Sequence, residues 1–531
     1  MSKKIFLNNK FWYKYKVNEI EVFYKGFHPE KLEKIFINLK IMKELKDITK
    51  VLNFLGDNFA LIIKNKKEIL AVADKIRSFP ILYAKRGKSF YLFENFAPIR
   101  KLKFNNKVDQ EQIFFFSMSG YSLGNGTIYK NIKQINPGTA VLFSKGIIKE
   151  IKYHLQNKKI IKNKKLLEKK LNHINEKIIL KLIKSCNNKY IVIPLSAGYD
   201  SRFILSGLKN FNYNNIITFS YGRANNREMN IAKKLSTRLN VPWYYIPYTN
   251  KKLQKVMLSY EHKKYENFAD SLTSIHFPSD FTAIKYLKDN NIIPKNCVII
   301  NGQSGDFISG NHLPNLRYNE KNTLDKLVNL YVFKHYHLWG LYFKKNKNTL
   351  TKKIFSYIKQ IIENIEEKDI HKVYERLEFI NRQSKYVING QRLYEFFGYE
   401  WRLPLWDSLY IDFWETVPLK EKLKQKLYKK TIHKTNWCNV WNDIPINPQN
   451  TFSYSTSILR FFIKTLFIFR GKESWHNFEK KYLHYYIDTL CGYAQWQYFD
   501  ISRDQRSFRN SLSWHTDEYL KSKNIDWEKF L

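Results

Sequence analysis

The sequence predicts an α+β domain, then an α/β domain built on a parallel sheet, then a mainly helical C-terminal region. Three observations carry this prediction: short apolar runs separated by turns in residues 12–100, strand–helix alternation between residues 190 and 301, and helical periodicity beyond about residue 320. We expect domains at 1–155 and 166–440, a polar, lysine-rich linker at 156–165, and a helical C-terminal extension at 441–531.

The first domain combines short strands and turns with one helix. Polar turns at 65–67 and 85–88 predict hairpins, and a Pro-Gly turn at 136–138 precedes two further strands. The helix is expected near 109–118, and the first strand only near Phe11. Between Phe11 and the helix, strands are expected at 19–23, 59–63, 69–72, 81–83 and 90–93.

The second domain begins with an amphipathic helix expected over 166–185. Strands and helices then alternate, which predicts a parallel sheet whose ligands bind at the carboxyl ends of the strands. The expected strands are 191–195, 216–221, 243–246 and 297–301, and the expected helices are 202–208 and 228–239.

The composition indicates a folded protein of a reducing compartment. Of the 531 residues, 44% are hydrophobic and 16% are aromatic, which excludes a disordered chain. Four widely spaced cysteines (Cys186, Cys297, Cys438 and Cys491) show neither zinc-ligand spacing nor a disulfide framework. No secretory segment is seen, and the most apolar run, 461–469, is too short to span a bilayer. We therefore expect a cytoplasmic protein without a transmembrane segment.

The formal charge of +44 has two interpretations. It could serve a polyanionic partner, such as nucleic acid, an anionic membrane face or an anionic glycan precursor. Alternatively, a coding bias toward lysine could place lysines on every solvated face. The basic residues are spread along the chain and no nucleic-acid signature is present, so we favour the second interpretation and do not expect a nucleic-acid partner.

Two loops that follow strands are candidate ligand sites. The strand 191–195 leads into Ser196-Ala197-Gly198-Tyr199-Asp200-Ser201 and then a helix, an arrangement that suits phosphate. The alternative is a tight turn in which Gly198 relieves strain and Asp200 or Ser201 caps the helix. The strand at 298–301 leads into a second Gly/Ser loop, 302–310, which contains Asp306. Asp200 and Asp306 could share Mg²⁺ with nucleotide phosphates, or the loops could be two unrelated turns.

Several segments together resemble the asparagine synthetase family over about residues 12–430. Residues 196–201 resemble its pyrophosphate loop SGGxDS, and NGQSGDFISG at 301–310 is similar to its second loop. The resemblance implies an N-terminal glutaminase-like (Ntn-type) sandwich followed by an ATP pyrophosphatase-type (PP-loop) synthetase domain. Further similar segments are 55–60, 74–83, 127–132, 218–222 and 397–407.

The resemblance also implies a two-step reaction. A substrate carboxylate attacks the α-phosphate of ATP and pyrophosphate leaves; an amine then attacks the acyl-adenylate, giving an amide and AMP. Carried onto this chain, Asp200 and Asp306 would hold Mg²⁺, and they and Gln303 stand at the positions expected to be catalytic. Pyrophosphate would be bound by Ser196, Gly198 and Ser201, and the backbone of Leu195, Tyr221, Asn301 and Gly302 would surround the adenosine.

Four positions depart from the family pattern. Ala197 replaces a loop glycine, Phe307 replaces an acid, and Gln303 replaces a glutamate, so this position cannot act as a base. Ser2 stands where the glutaminase has its nucleophilic cysteine, and it would lie on a tail before the first strand. We therefore expect no glutaminase activity. The nitrogen would come from ammonia, a separate glutaminase or an amine on the substrate.

The expected function is an ATP-dependent carbon–nitrogen ligase acting on a small-molecule carboxylate. Aspartate, as in asparagine biosynthesis, and a sugar acid of surface polysaccharide biosynthesis are the candidate acceptors, and a homodimer is one option for assembly. The alternatives are a PP-loop RNA-modifying enzyme and a non-catalytic nucleotide-binding homologue. The lysine that balances pyrophosphate charge in the family has no motif here; the candidates are Lys426, Lys429, Lys430, Lys464 and Lys472.

Overall fold

The computed structural model of the chain describes residues 2–7, 9–42, 44–102, 104, 107–154, 159–278, 280–314, 324–362, 370–448 and 452–531. Part of the predicted linker, 155–158, lies outside the described residues. Within the described part of the predicted linker, a helix already begins at Lys164.

The N-terminal region contains two packed sheets. One has six antiparallel strands in the order β10-β9-β5-β4-β3-β2, and the other has four strands in the order β1-β7-β6-β8. The strands are β1 (Lys3–Phe6), β2 (Tyr13–Val17), β3 (Ile20–Gly26), β4 (Phe59–Lys64), β5 (Glu68–Ala73), β6 (Leu82–Arg86), β7 (Ser89–Phe93), β8 (Ile132–Gln134), β9 (Thr139–Ser144) and β10 (Ile147–Lys152). The helices are α1 (Leu32–Ile41), α2 (Phe96–Lys101) and α3 (Gln110–Ser119), and a 3₁₀ segment spans Leu45–Leu55.

Alternating side chains divide this region into layers. In β4, Leu61 faces a core shared with α1 and the 3₁₀ segment, whereas Ile62 faces the space between the two sheets. In β7, Leu92 faces the same inter-sheet space, whereas Phe93 faces the opposite side, toward α2 and α3. This two-residue period places helix, sheet, sheet and helix in four successive layers.

The prediction that the first strand begins near Phe11, with Ser2 on a tail, is wrong. Strand β1 begins at Lys3 and pairs in parallel with β7, and the carbonyl oxygen of Ser2 accepts the Phe90 N–H at 2.9 Å. The two lysines of β1 break the apolar pattern by which a strand is recognised in a sequence. On an edge they fit, because Lys3 reaches across to the Asn65 carbonyl oxygen at 2.9 Å.

The second sheet system is a five-stranded parallel sheet in the order β13-β12-β11-β14-β15. Its strands are β11 (Ile191–Pro194), β12 (Ile216–Gly222), β13 (Trp243–Pro247), β14 (Val298–Ile300) and β15 (Glu400–Arg402). The chain leaves β11 toward β12 on one side and returns to β14 on its other side. The loops after β11 and β14 therefore meet at a topological switch point, where such sheets bind ligands.

The region beyond residue 320 is mainly helical, as predicted, but it also contains the strand β15, which the sequence did not reveal. This strand has only three residues and pairs with β14, which places Trp401 beside Ile299. A three-residue strand is too short for its two-residue period to be recognised in a sequence.

Helices cover both faces of the parallel sheet and form the rest of the chain. Residues Phe379–Val387 form a π-helix. The helices are α4 (Lys164–Cys186), α5 (Tyr199–Asn210), α6 (Arg227–Arg238), α7 (Asn250–Met257), α8 (Tyr260–Ala269), α9 (Phe281–Asp289), α10 (Gly305–Ile308), α11 (Leu324–His335), α12 (Gly340–Ile361), α13 (Ile370–Glu378), α14 (Arg392–Phe397), α15 (Ser408–Trp414), α16 (Leu419–Lys422), α17 (Lys426–Thr435), α18 (Tyr454–Thr465), α19 (Gly471–Phe478), α20 (His484–Ile487), α21 (Tyr498–Arg503) and α22 (Ser511–Lys521).

The C-terminal helix packs against the N-terminal region. Tyr519 of α22 stacks on Phe116 of α3 with ring centroids 5.1 Å apart, and Trp527 stacks on Trp339 at 5.5 Å. One hydrophobic core thus joins residues from both ends of the chain. None of the described helices is both long and apolar enough to cross a membrane.

Candidate functional site

The loop after β11 folds back on the first turn of α5. The Ser201 hydroxyl accepts the Ser196 N–H at 3.1 Å, and the Ser196 hydroxyl accepts the Gly198 N–H at 3.1 Å. Gly198 is the N-cap of α5, and no side chain caps this helix. The capping alternative for Asp200 and Ser201 is therefore wrong. Ala197 does not adopt a positive φ, so a residue with a side chain fits this position without strain.

The loops after β11 and β14 touch each other through two glycines. The Asp306 N–H donates to Asp200 Oδ2 at 2.9 Å. A Cβ on Gly302 would lie 2.9 Å from the Ser201 nitrogen, and a Cβ on Gly305 would lie 2.6 Å from Asp200 Oδ1. Only glycine at these two positions permits the close approach that brings Asp200 and Asp306 side by side.

The two carboxyl groups have opposite pKa shifts. Burial and the neighbouring Asp306 charge raise the pKa of Asp200 to about 8. Burial acts in the same direction on Asp306, but the His312 imidazole, with Nε2 3.0 Å from Asp306 Oδ2, lowers its pKa. The other ring nitrogen of His312 contacts Glu378, and the two carboxylates outweigh burial and raise the pKa of His312 to about 9. His312 is therefore a cation at neutral pH.

Asp200 and Asp306 fit a divalent cation. Mg²⁺ prefers one or two carboxylates together with phosphate oxygens, and the two carboxyl groups lie at the edge of the same cavity. Burial, and after it the Asp306 charge, raise the pKa of Asp200, and a nearby cation would favour its ionised form. A divalent ion between the two carboxyl groups would be such a cation.

The cavity at this edge of the sheet has a volume of about 480 Å³. It is lined by nine of the ten residues expected from the sequence: Leu195, Ser196, Asp200, Ser201, Tyr221, Asn301, Gly302, Gln303 and Asp306. The tenth, Gly198, lies behind Ser196, where an added Cβ would be 3.2 Å from the Ser196 hydroxyl oxygen. The apolar part of the wall consists of Phe219, Met229, Phe277, Val387 and Leu490.

A hydrogen-bonded chain fixes the polar side of the cavity. The Tyr221 hydroxyl donates to Asp280, and the Tyr394 hydroxyl donates to the same carboxylate at 2.8 Å. Asn301 in turn donates to the Tyr394 oxygen at 3.0 Å. Burial raises the pKa of Asp280, and the two tyrosine donors only partly offset this rise.

Gln303 is held in a defined orientation. Its backbone N–H donates to Asn301 Oδ1 at 2.9 Å, and its side-chain Oε1 accepts a hydrogen bond from Gln391 at 2.9 Å. The side-chain oxygen of Gln303 thus accepts a hydrogen bond from Gln391. The NH₂ group of Gln303 is then the part of the amide that is available to donate to a ligand.

The sequence did not reveal four charged residues of the cavity: Glu228, Asp280, His312 and Arg382. Arg382 lies in the π-helix, with a guanidinium nitrogen 3.6 Å from Glu378 Oε1. No local motif marks it, because the helix is brought to the loops only by the tertiary fold. The five candidate lysines do not line the cavity; Lys430, for example, pairs with Glu168 at 2.5 Å.

A second cluster of potential metal ligands lies outside the cavity. Potential ligand atoms of His262, Glu266 and His276 lie within 4.8 Å of one another. Glu266, however, already has a cation, because the Lys263 ammonium lies 2.8 Å from its Oε2. Burial lowers the pKa of His262 to about 4. We therefore interpret the cluster as part of the packing of α8.

Comparisons with known proteins identify one part of the chain. Residues 191–435 match the family model described as asparagine synthase. A search of curated proteins found no match.

Two solved structures show distant likenesses to the chain. One is the allosteric regulatory enzyme of purine biosynthesis, with 9% identity over 44% of this chain and 62% of that chain, and a TM-score of 0.19. Another is glutamine phosphoribosylpyrophosphate amidotransferase from B. subtilis complexed with ADP and GMP, with 8% identity over 55% of this chain and 63% of that chain, and a TM-score of 0.18. The chain thus spans less than two thirds of either structure, and TM-scores this low do not establish a shared fold.

Proposed function

We propose, from the membership of this chain in the asparagine synthase family through residues 191–435, that it is an ATP-dependent, AMP-forming ligase that converts a small-molecule carboxylate into an amide. One observation supports this most directly: nine residues expected from the sequence line a single cavity at the switch point of the parallel sheet. Asp200 and Asp306 meet there through backbone contact of their loops.

In the first half-reaction, the acceptor carboxylate attacks the α-phosphate of ATP, the bond to the bridging oxygen breaks and pyrophosphate leaves. Ser196, Ser201 and the N-terminal end of α5 would bind the pyrophosphate, because free N–H groups and the helix dipole favour anions. Asp200 and Asp306 would hold Mg²⁺, which neutralises phosphate charge. His312 and Arg382 add two positive side chains to the same cavity.

The apolar wall formed by Phe219, Met229 and Val387 would contact the adenine, next to the backbone of Leu195, Tyr221, Asn301 and Gly302. The acceptor would lie beyond the α-phosphate. Aspartate and the carboxylate of a sugar acid in surface polysaccharide biosynthesis are the two acceptors included in the proposal.

In the second half-reaction, a nitrogen nucleophile attacks the acyl carbon, the bond from this carbon to the phosphate oxygen breaks, and AMP leaves, with its phosphate group available to take the proton lost by the nitrogen. Gln303 cannot accept the proton, so its proposed role is to donate a hydrogen bond from its NH₂ group to the acyl-adenylate. The nitrogen source is ammonia, a separate glutaminase or an amine of the substrate. Ser2 lies exposed immediately before the edge strand β1, which supports an N-terminal domain that serves as a degenerate glutaminase-like scaffold.

The proposal includes the division of the chain into residues 1–155, 166–440 and 441–531 and a cytoplasmic location. ATP consumption and the four free cysteines support this location. A homodimer is one option for assembly in this proposal.

ATP–pyrophosphate exchange across a panel of carboxylates, from aspartate to sugar acids, tests the first half-reaction, and the product mass then identifies the amide. Asp200→Asn should abolish exchange, whereas Asp289→Asn, at an exposed aspartate on α9, should leave it unchanged. Full exchange in Asp200→Asn would contradict the Mg²⁺ assignment. Tight, salt-sensitive tRNA binding without exchange would instead support the RNA-modifying alternative.

A further inference from the structure

Helix α18 presents its apolar side to solvent. Tyr454, Ile458, Phe461 and Phe462 follow the spacing i, i+4, i+7 and i+8, which places them on one face of a helix. Their exposed fractions range from 58% to 73%, and no residue of this helix is buried. A surface helix of a globular protein normally turns this face toward the core. Helix α18 therefore has the opposite orientation to a typical surface helix, because its apolar face points toward solvent.

The polar face of the same helix is the one that holds it to the protein. Arg460 lies opposite the apolar stripe and pairs with Glu479, a buried residue in the segment after α19. The Arg460 guanidinium also lies 4.4 Å from the centre of the Phe452 ring. The helix is anchored through its charged side, which leaves the apolar side available to a partner.

The apolar surface continues past the helix. Leu466, Ile468 and Phe469 are exposed by 75%, 69% and 100%. We call the face formed by residues 454–469 the apolar ridge.

The apolar ridge is accompanied by basic residues. Lys464, Arg470 and Lys472 lie within or beside it, and no ion pair of these three is seen among the described residues. The sequence from 444 to 472 contains no aspartate or glutamate. Aromatic and aliphatic side chains combined with an unbroken positive charge are typical of helices that lie in the headgroup layer of anionic membranes.

We propose that the apolar ridge binds peripherally to the surface of an anionic phospholipid bilayer. Phe461, Phe462 and Phe469 would enter the boundary between headgroups and acyl chains, while the basic side chains contact lipid phosphates. The helix has twelve residues, too few to span a bilayer, so it would lie in the plane of the interface.

A second copy of the chain fits the ridge less well. Pairing two such surfaces would bring Lys464, Arg470 and Lys472 of both copies together without any acidic residue of the segment to neutralise them. Anionic headgroups supply the opposite charge.

The ridge lies beside one wall of the cavity, because the Arg227 guanidinium, between the lining residues Asn226 and Glu228 in sequence, lies 4.5 Å from the centre of the Tyr454 ring. Arg202 of α5 donates to the carbonyl oxygens of Val440 and Ile444 at 3.0 and 2.8 Å. The Asn447 N–H donates to the Ala197 carbonyl oxygen at 3.1 Å, within the loop after β11. Membrane binding through the ridge would therefore bring this side of the cavity close to the lipid surface. There the cavity could bind a substrate that is held in the membrane.

Vesicle flotation with the full-length protein tests the proposal. Vesicles of phosphatidylcholine mixed with phosphatidylglycerol should carry the protein upward, and vesicles of phosphatidylcholine alone should carry about tenfold less. The double variant Phe461→Ser/Phe462→Ser should lose binding by about tenfold or more, and Lys464→Glu/Arg470→Glu should do the same. High salt should weaken the binding of the unmodified protein.

A matched control replaces two exposed isoleucines elsewhere, Ile37 and Ile41 of α1, with serine, and should bind as the unmodified protein does. Circular dichroism and ATP–pyrophosphate exchange check that each variant is folded, so the flotation result does not depend on the reaction. Absence of flotation, or equal flotation of Phe461→Ser/Phe462→Ser, would overturn the proposal. A dimer in light scattering that this variant dissociates would assign the ridge to a second copy and would also overturn it.

Discussion

The ammonium group of Lys25, on β3 of the six-stranded sheet, lies 2.6 Å from the carboxylate of Glu395, 370 residues further along the chain. Lys25 also contacts Glu94 at 2.7 Å, and Arg392 contacts both glutamates. All four side chains are buried. A closed set of two cations and two carboxylates therefore joins the N-terminal sheets to α14, just before β15 of the parallel sheet.

Replacing Lys25 with methionine should destabilise the protein by about 3–5 kcal/mol, because it leaves two buried carboxylates with only Arg392 between them. Urea unfolding followed by tryptophan fluorescence measures this change. Lys66→Met, which removes the exposed pair with Glu19, should leave the unfolding midpoint unchanged. Equal midpoints for Lys25→Met and the unmodified protein would contradict a stabilising role of the junction.

Gly305→Ala should impair exchange activity without unfolding the chain. The added methyl group would lie 2.6 Å from Asp200 Oδ1 and 2.5 Å from a methyl carbon of Leu405, so the Asp200 carboxylate must move. A displaced carboxylate would no longer be placed to hold Mg²⁺ together with Asp306. We expect the Mg²⁺ concentration for half-maximal exchange to rise by about tenfold or more. An unchanged Mg²⁺ dependence, with an unchanged melting temperature, would count against the shared site.

Arg382→Gln should weaken ATP binding by about tenfold or more, because the variant removes one of the two cationic side chains that line the cavity. Lys430→Gln is the matched control, since Lys430 pairs with Glu168 and does not line the cavity. Equilibrium binding of ATP measures both variants. A larger effect of Lys430→Gln than of Arg382→Gln would return the charge-balancing role to the lysines after β15.

The buried His262 should make the protein sensitive to mild acid. Its pKa is lowered to about 4 by burial, whereas an unfolded histidine titrates near 6.5. As the pH falls from 6.5 toward 4, the unfolded chain binds a proton at this histidine that the folded chain does not bind. The free energy of unfolding therefore decreases in this window by about 1.4 kcal/mol per pH unit.

In His262→Gln, the difference in unfolding free energy between pH 7 and pH 5 should therefore be smaller by about 2 kcal/mol than in the unmodified protein. Urea unfolding at the two pH values provides the comparison. The control is His173→Gln, which alters an exposed histidine on α4 and should keep the original difference. An identical pH response of His262→Gln would show that His262 does not account for the acid sensitivity.

The sequence predicted those parts of the site whose structure and ligand-binding groups lie within one short stretch of the chain. The loops of Asp200 and Asp306 were recognisable because each strand, loop and helix is contiguous, and the parallel sheet then brings the two loops together. Arg382 and Asp280 could not be found in this way. Arg382 lies in the π-helix and Asp280 directly before α9, neither belongs to a motif, and only tertiary packing brings them to the cavity.

Two edge strands, β1 and β15, escaped prediction for a related reason. Strand β1 is rich in lysine and β15 has three residues, so neither shows a clear apolar alternation, and pairing with a neighbour determines both. The orientation of α18 was equally hidden, because periodicity shows that a helix has an apolar face but not whether that face meets the core.

The packing of α22 against α3 has a consequence for synthesis of the protein. Phe116 can stack on Tyr519 only after about four hundred further residues have been made. The contact is therefore highly non-local in sequence. During translation, the part of α3 that Tyr519 covers must remain exposed until α22 has been made. A nascent chain that stops short of α22 would therefore present this surface of α3 to chaperones.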